Sequence, residues 1–154
     1  MDDSARSRIY GAAQTILLFG YAAVGLFLSG PPLFKSATAA AVGNALWVIG
    51  LLMIGAAFFS LRHVIQVNPE PKSGGQLVTS GIYKWFRHPI YTAIVLVVVG
   101  LFLRKPTLAL GIASAVVIVF LLLKTRFEEK LLAARYPDYS AYRARTWGVV
   151  SHSL

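Results

Sequence analysis

The chain has 154 residues, 56% of them hydrophobic and only 14% charged, and it contains no cysteine. That balance excludes an ordinary soluble domain and a disordered chain, and with them any disulfide, cysteine-ligated metal or thiol nucleophile. The formal charge of +9, from 15 Lys plus Arg against 6 Asp plus Glu, is carried at the ends of apolar runs. Such placement points to membrane topology and anionic lipid and away from nucleic acid.

Residues 1–8 are polar, with Asp2, Asp3, Arg6 and Arg8. Residues 9–28 form an apolar run long enough to cross about 30 Å of hydrocarbon as a helix. The run is long for a signal-peptide core, and Gly30-Pro31-Pro32 follows it with no small-x-small cleavage site, so it reads as a first membrane span. After a tight loop over residues 30–37, residues 39–61 form a second span. Its Gly43, Gly50 and Gly55, with Ala45, Ala56 and Ala57, are small enough to let a neighbouring helix approach closely. Arg62 and His63 close it, and residues 68–75 (Asn-Pro-Glu-Pro-Lys-Ser-Gly-Gly) make a polar, turn-rich loop, either a linker or a lid over a cofactor.

The next stretch gathers aromatics, cations and a histidine where this loop turns into apolar sequence: Gly81-Ile82-Tyr83-Lys84-Trp85-Phe86-Arg87-His88-Pro89-Ile90-Tyr91. Proline has a fixed φ and no N–H, so Pro89 suits the first position of a helix and biases His88 away from helical geometry. The helix it opens has a positive dipole end facing the loop, a setting that favours a carboxylate. The third span, residues 90–103, is short at about 14 residues; Arg104-Lys105-Pro106 turns the chain, and residues 107–123 return as the fourth span of a helical hairpin. Residues 124–147 mix charges with Leu131, Leu132, Tyr136, Tyr139, Tyr142 and Trp147, and read as an extension of the fourth span followed by an amphipathic surface segment, broken at Tyr136-Pro137.

The expected architecture is all-α: a single polytopic helical bundle over residues 1–154 with four membrane spans, a cytoplasmic cofactor-binding loop and a C-terminal amphipathic segment. With the N-terminus inside, 12 of the 15 cations face the cytoplasm and only Lys35, Arg104 and Lys105 face outward, so both termini are expected inside. The stretch around His88 and the acidic pair Glu128-Glu129 then share one membrane face.

Aromatic faces and carboxylates both attract a cation. Taken singly, Tyr83, Trp85 and Tyr91 fit an interfacial aromatic belt equally well, and Trp85 and Phe86 are assigned to it. Adjacent glutamates on a helix point about 100° apart, so Glu128 and Glu129 are expected to serve different partners. Lys124 stands one helical turn before Glu128 and can pair with it.

The run Leu77-Val78-Thr79-Ser80-Gly81-Ile82-Tyr83, then Arg87-His88-Pro89-Ile90-Tyr91, then Glu128-Glu129-Lys130-Leu131-Leu132 with Tyr136, Tyr139 and Tyr142, resembles the isoprenylcysteine carboxyl methyltransferase family. That family is similar in its catalytic half to phospholipid N-methyltransferases. The resemblance covers residues 68–147. It implies an integral membrane enzyme that transfers a methyl group from S-adenosylmethionine to an amphiphilic or lipidated acceptor reaching the site from the bilayer. The accepting atom is left open between carboxylate oxygen, amine nitrogen and thiol sulfur. By the resemblance, His88, Pro89, Tyr91 and Glu129 contact the cofactor, with backbone from the Leu77 to Tyr83 segment, including Gly81. Arg87 or Arg126 is expected to orient an anionic substrate group, and Glu128 to lie near the acceptor. The family usually has glycine where this chain has Ala93, and the added methyl is expected to narrow the approach to the cofactor.

The competing reading is a non-enzymatic four-helix membrane protein, a small transporter or assembly subunit. A proton-coupled transporter needs an ionisable residue in mid-membrane, and none of the four spans has one. His63, His88 and His152 are boundary or tail positions and do not suggest a bis-histidine haem. No metal site is expected, and there is no Gly-x-Gly-x-x-Gly turn of a soluble nucleotide fold.

Overall fold

The computed structural model describes residues 3–28, 30–67 and 77–149, with side chains described to residue 62 in the second of these stretches. The expected loop at residues 68–75 and the tail with His152 lie outside the described residues, as does the side chain of His63. Helix α1 spans Asp3–Phe27, α2 Ala37–Val67, α3 Pro89–Arg104, α4 Leu108–Arg135 and α5 Tyr139–Ala144; a single 3-10 turn occupies Gly81–Lys84.

Local chemistry sets the boundaries. Ser36 caps α2, its hydroxyl accepting from the Ala39 N–H at 3.1 Å. Pro89 takes the first position of α3, with His88 non-helical before it (φ −128°, ψ 59°). Thr107 caps α4 by accepting from the Leu110 N–H at 3.3 Å, and the helix stops at Tyr136, which Pro137 holds extended (φ −117°, ψ 111°).

Helices α1, α2 and α4 are long and apolar enough to cross a membrane; α3 is apolar but has only 16 residues. At 1.5 Å per residue it measures about 24 Å, against about 30 Å of hydrocarbon. The third expected span is therefore present as a helix and falls short on length. One boundary moves, as α2 continues past Arg62 to Val67; α4 continues without a break through Lys124 to Arg135, the expected extension that ends at Tyr136-Pro137.

Helices α2 and α3 pack most closely. A Cβ on Gly43 would lie 2.6 Å from the Gly100 carbonyl oxygen, and one on Gly50 would lie 2.8 Å from that of Ala93. Gly55, expected to serve in the same way, faces open space. Ala93, with the methyl expected to narrow the approach to the cofactor, is fully buried, and its carbonyl lies against Gly50 of α2. Helix α1 lies on α4, where Tyr10 stacks on Phe127 at 5.0 Å between centroids. A core of Tyr21, Ile94, Val98, Leu110, Val117 and Leu121 joins α1, α3 and α4. The Tyr21 hydroxyl in it is satisfied by the Val98 carbonyl at 2.9 Å, as a polar group buried among apolar side chains requires.

At one end of the bundle the Leu33 N–H donates to the Pro106 carbonyl at 2.7 Å, bringing the α1–α2 connection onto the α3–α4 turn. At the other end lie the N-terminal half of α1, the start of α3, the end of α4 and α5.

Candidate functional site

The site forms where α3 begins and α4 extends past its apolar stretch. The imidazole of His88 lies parallel to the Tyr91 ring (4° between planes, centroids 5.5 Å apart). It is wedged between the two glutamates, with Nδ1 3.9 Å from Glu128 Oε2 and Nε2 3.4 Å from Glu129 Oε1.

The glutamates face different partners. Glu129 points inward: Arg87 Nε donates to its Oε1 at 2.5 Å, and both side chains are almost fully buried, at 1% and 7% exposure. Arg143 Nε from α5 lies 3.3 Å from its other oxygen. Glu128 is 30% exposed and opens into a cavity of about 160 Å³ lined by Tyr83, Arg87, His88, Pro89, Ile90, Tyr91 and Glu128. The Tyr91 hydroxyl donates to Glu128 Oε1 at 2.8 Å, and Lys124 Nζ stands 3.6 Å from the same oxygen. That ammonium also lies 5.1 Å from the Tyr91 ring centroid and donates to Gln14 Oε1 of α1 at 2.5 Å.

The chain after α5 packs against Arg87 and the residues before it. Arg87 Nη1 donates to the Thr146 carbonyl at 2.7 Å. A short parallel bridge joins Phe86 to Trp147, with Arg87 N–H to Trp147 O at 2.9 Å and Trp147 N–H to Trp85 O at 2.8 Å. The Tyr142 hydroxyl donates to the Tyr83 carbonyl at 2.7 Å. Burial, with the neighbouring Tyr83 phenol adding to it, pushes the Tyr142 phenol up to about 12. A second cleft of about 430 Å³ is lined by Thr79, Lys84, Trp85, Tyr142 and Arg145, and the Tyr142–Tyr83 hydrogen bond links it to the cavity.

Three buried polar atoms in this region, His88 Nε2, Thr125 Oγ1 and Tyr139 Oη, have no hydrogen-bond partner among the described residues. Thr125 stands one turn before Glu129. Burial first, and then the Glu129 carboxylate, push the Tyr139 phenol well above its ordinary range.

Among the residues singled out from sequence, Tyr83, Arg87, His88, Pro89, Tyr91 and Glu128 line the cavity together, and Glu129 lies directly behind it. Gly81 supports the site from outside: its φ of +61° requires glycine, and a Cβ there would meet the Ser60 hydroxyl of α2, which also accepts from the Ile82 N–H at 3.3 Å. Leu77 is half-buried, and Arg126 is exposed; neither lines the cavity.

Sequence reading missed Gln14, Ser60, Arg143 and Thr146, and took Tyr142 for an amphipathic surface residue. Gln14 had a signal, as an amide within an apolar span; for a main-chain acceptor such as Thr146 no sequence signal exists. Among the described residues no group of three or more His, Asp or Glu is placed to hold a metal ion.

The family model described as phospholipid methyltransferase matches residues 38–139. A curated relative, the cobalt-zinc-cadmium resistance protein CzcN of Cupriavidus metallidurans, is 32% identical over 78 residues, which is 49% of this chain and 35% of that protein. The chain thus covers about a third of the length of that relative. No solved structure is significantly similar to it.

Proposed function

Because this chain belongs to the phospholipid methyltransferase family, we propose that it binds S-adenosylmethionine at the His88 cavity and methylates a lipid-like acceptor there, at the cytoplasmic face. The observation that carries this is the convergence of His88, Tyr91 and Glu128 on one cavity from helices α3 and α4. Bound there, the cofactor supplies an electrophilic methyl group on a cationic sulfur.

The residues present suit such a group. A partly exposed carboxylate beside Tyr83 and Tyr91 favours a cation, and the His88 imidazole, which lines the cavity, can hydrogen-bond its polar parts. The cavity alone is below the range of about 300–1,000 Å³ for a whole small-molecule ligand, whereas the adjoining cleft falls inside it. The cavity is therefore assigned to the reacting end, and the cleft beside Trp85 and Tyr142 to the remainder.

Methyl transfer is an in-line displacement, so the protein contributes alignment, charge and exclusion of water. Glu128 is the carboxylate that faces the reacting atoms, held by the Tyr91 hydroxyl and the Lys124 ammonium. The Arg87–Glu129 pair, already satisfied within the protein, positions the His88 imidazole. The acceptor is amphiphilic and reaches the cavity laterally from the bilayer, with α3 completing a fourth crossing and both termini inside. The excess of cations at this end supports that orientation.

Calorimetric titration of the purified full chain with S-adenosylmethionine tests the proposal. Saturable binding is expected, weakened at least about tenfold, or 1.4 kcal/mol, in His88→Ala and Glu128→Gln. Equal binding by all three proteins would remove the residue assignment, and absence of binding by the unsubstituted chain would overturn the function.

A further inference from the structure

Helix α1 rests on α4, and α2 on α3. Between α1 and α2 they leave an apolar trough of about 800 Å³ floored by α3. Its walls include Leu18 and Leu26 from α1 and Leu51 and Ile54 from α2, with Val97 and Leu101 beneath. It runs along α3 toward the α3–α4 turn, where Arg104 and Lys105 line its end. That end is the opposite one of the 16-residue α3 from His88, about 24 Å away at the helical rise.

The charge there is one-sided. The Leu33–Pro106 hydrogen bond brings the connection carrying Lys35 to the same face as Arg104 and Lys105. The sequence has no Asp or Glu between Asp3 and Glu70, or between Glu70 and Glu128, so among the described residues these three cations meet no carboxylate from the helix ends packed beside them. Lys105 Nζ donates to the Gly25 carbonyl at 3.1 Å, using one of its three donors. Arg104 lies 5.3 Å from the Trp47 ring centroid, and a guanidinium offers a phosphate paired N–H donors.

A long apolar trough in a membrane protein, closed at one end by uncompensated cations, is complementary to an amphiphile with an acyl chain and an anionic head. We propose that the trough holds one anionic phospholipid, its acyl chain on α3 between α1 and α2 and its phosphate at Arg104 and Lys105. This lipid is retained and not methylated, because its head lies at the far end of the bundle from the cavity. It wedges α1 against the bundle. Helix α1 precedes the family match, which begins at residue 38, and it carries Gln14 to the Lys124 ammonium.

Native mass spectrometry and thermal unfolding of the full chain in phosphatidylcholine nanodiscs doped with phosphatidylglycerol test this. One phosphatidylglycerol per chain is expected to be retained in preference to phosphatidylcholine by about tenfold or more, given two cations at the head, with a raised unfolding midpoint. The preference should fall to near unity in the double variant Arg104→Gln, Lys105→Gln, and Ile54→Trp, which fills the trough, should lose retention of both lipids. Equal retention of the two lipids by the unsubstituted chain, which needs no variant to fold, overturns the proposal. A preference unchanged in the charge variant overturns it too, as does an equal midpoint rise with glycerol 3-phosphate alone.

Discussion

The two arginines on Glu129 differ in environment, and that difference sets what each contributes. Arg87 is buried with its carboxylate partner, so Arg87→Met leaves the buried Glu129 with only the more exposed Arg143 and the His88 imidazole beside it and is expected to cost about 3–5 kcal/mol in unfolding experiments. Arg143 is 46% exposed, and Arg143→Ala should cost under about 1 kcal/mol, as solvent screens the pair. A loss as large for Arg143 as for Arg87 would contradict this division. Tyr142 has a pH signature. Its phenol is raised to about 12 from an ordinary value of 10, so its contribution is fully present below pH 10 and is lost as pH rises from 10 towards 12. The difference in unfolding midpoint between the unsubstituted chain and Tyr142→Phe should be flat up to pH 10 and shrink above it. The distinct roles of the adjacent glutamates were legible from the 100° helical step; which one is buried was not, because that depends on Arg87 and Arg143 arriving from other elements.

Among the elements, α3 is positioned by close backbone packing on α2 at Gly43, Gly50 and Gly100. Gly100→Val is expected to separate the helices and abolish cofactor binding measured calorimetrically, although residue 100 lies well away from the cavity. Gly55 faces open space, and Gly55→Ala should stabilise α2 by about 0.5–1 kcal/mol through helix propensity. The same comparison tests whether small residues act here through contact or through composition. Gly81→Ala forces a left-handed φ on alanine, a cost of roughly 1–2 kcal/mol, and adds a methyl against Ser60; thermal unfolding should show the loss. Sequence pattern located both helices, but it credited Gly55 with the same role as Gly43 and Gly50, because composition does not say which face of α2 meets α3.

At the scale of the whole molecule, the segment after α4 folds back to close the site, through Tyr142, Arg143, Thr146 and the bridge from Trp147 to Phe86. Most of it lies beyond the family match, which ends at residue 139. Deleting residues 139–154 should leave a helical, membrane-inserted protein by circular dichroism while removing cofactor binding, since Arg87 and Glu129 become exposed. Retained binding would show that the tail only covers the site.

The sequence by itself determined the all-helical membrane character, the approximate place of each helix, the breaks at Pro89 and Pro137, and the two polar clusters. These follow from apolar length, capping chemistry and the fixed φ of proline, all properties of near neighbours in the chain. Only the tertiary structure decided that Glu129 is sealed in while Glu128 meets the cavity, that the tail docks beside Trp85, and that α1 and α2 stand apart over α3. Each of these depends on side chains distant in sequence reaching one another, and local periodicity carries no record of such partners.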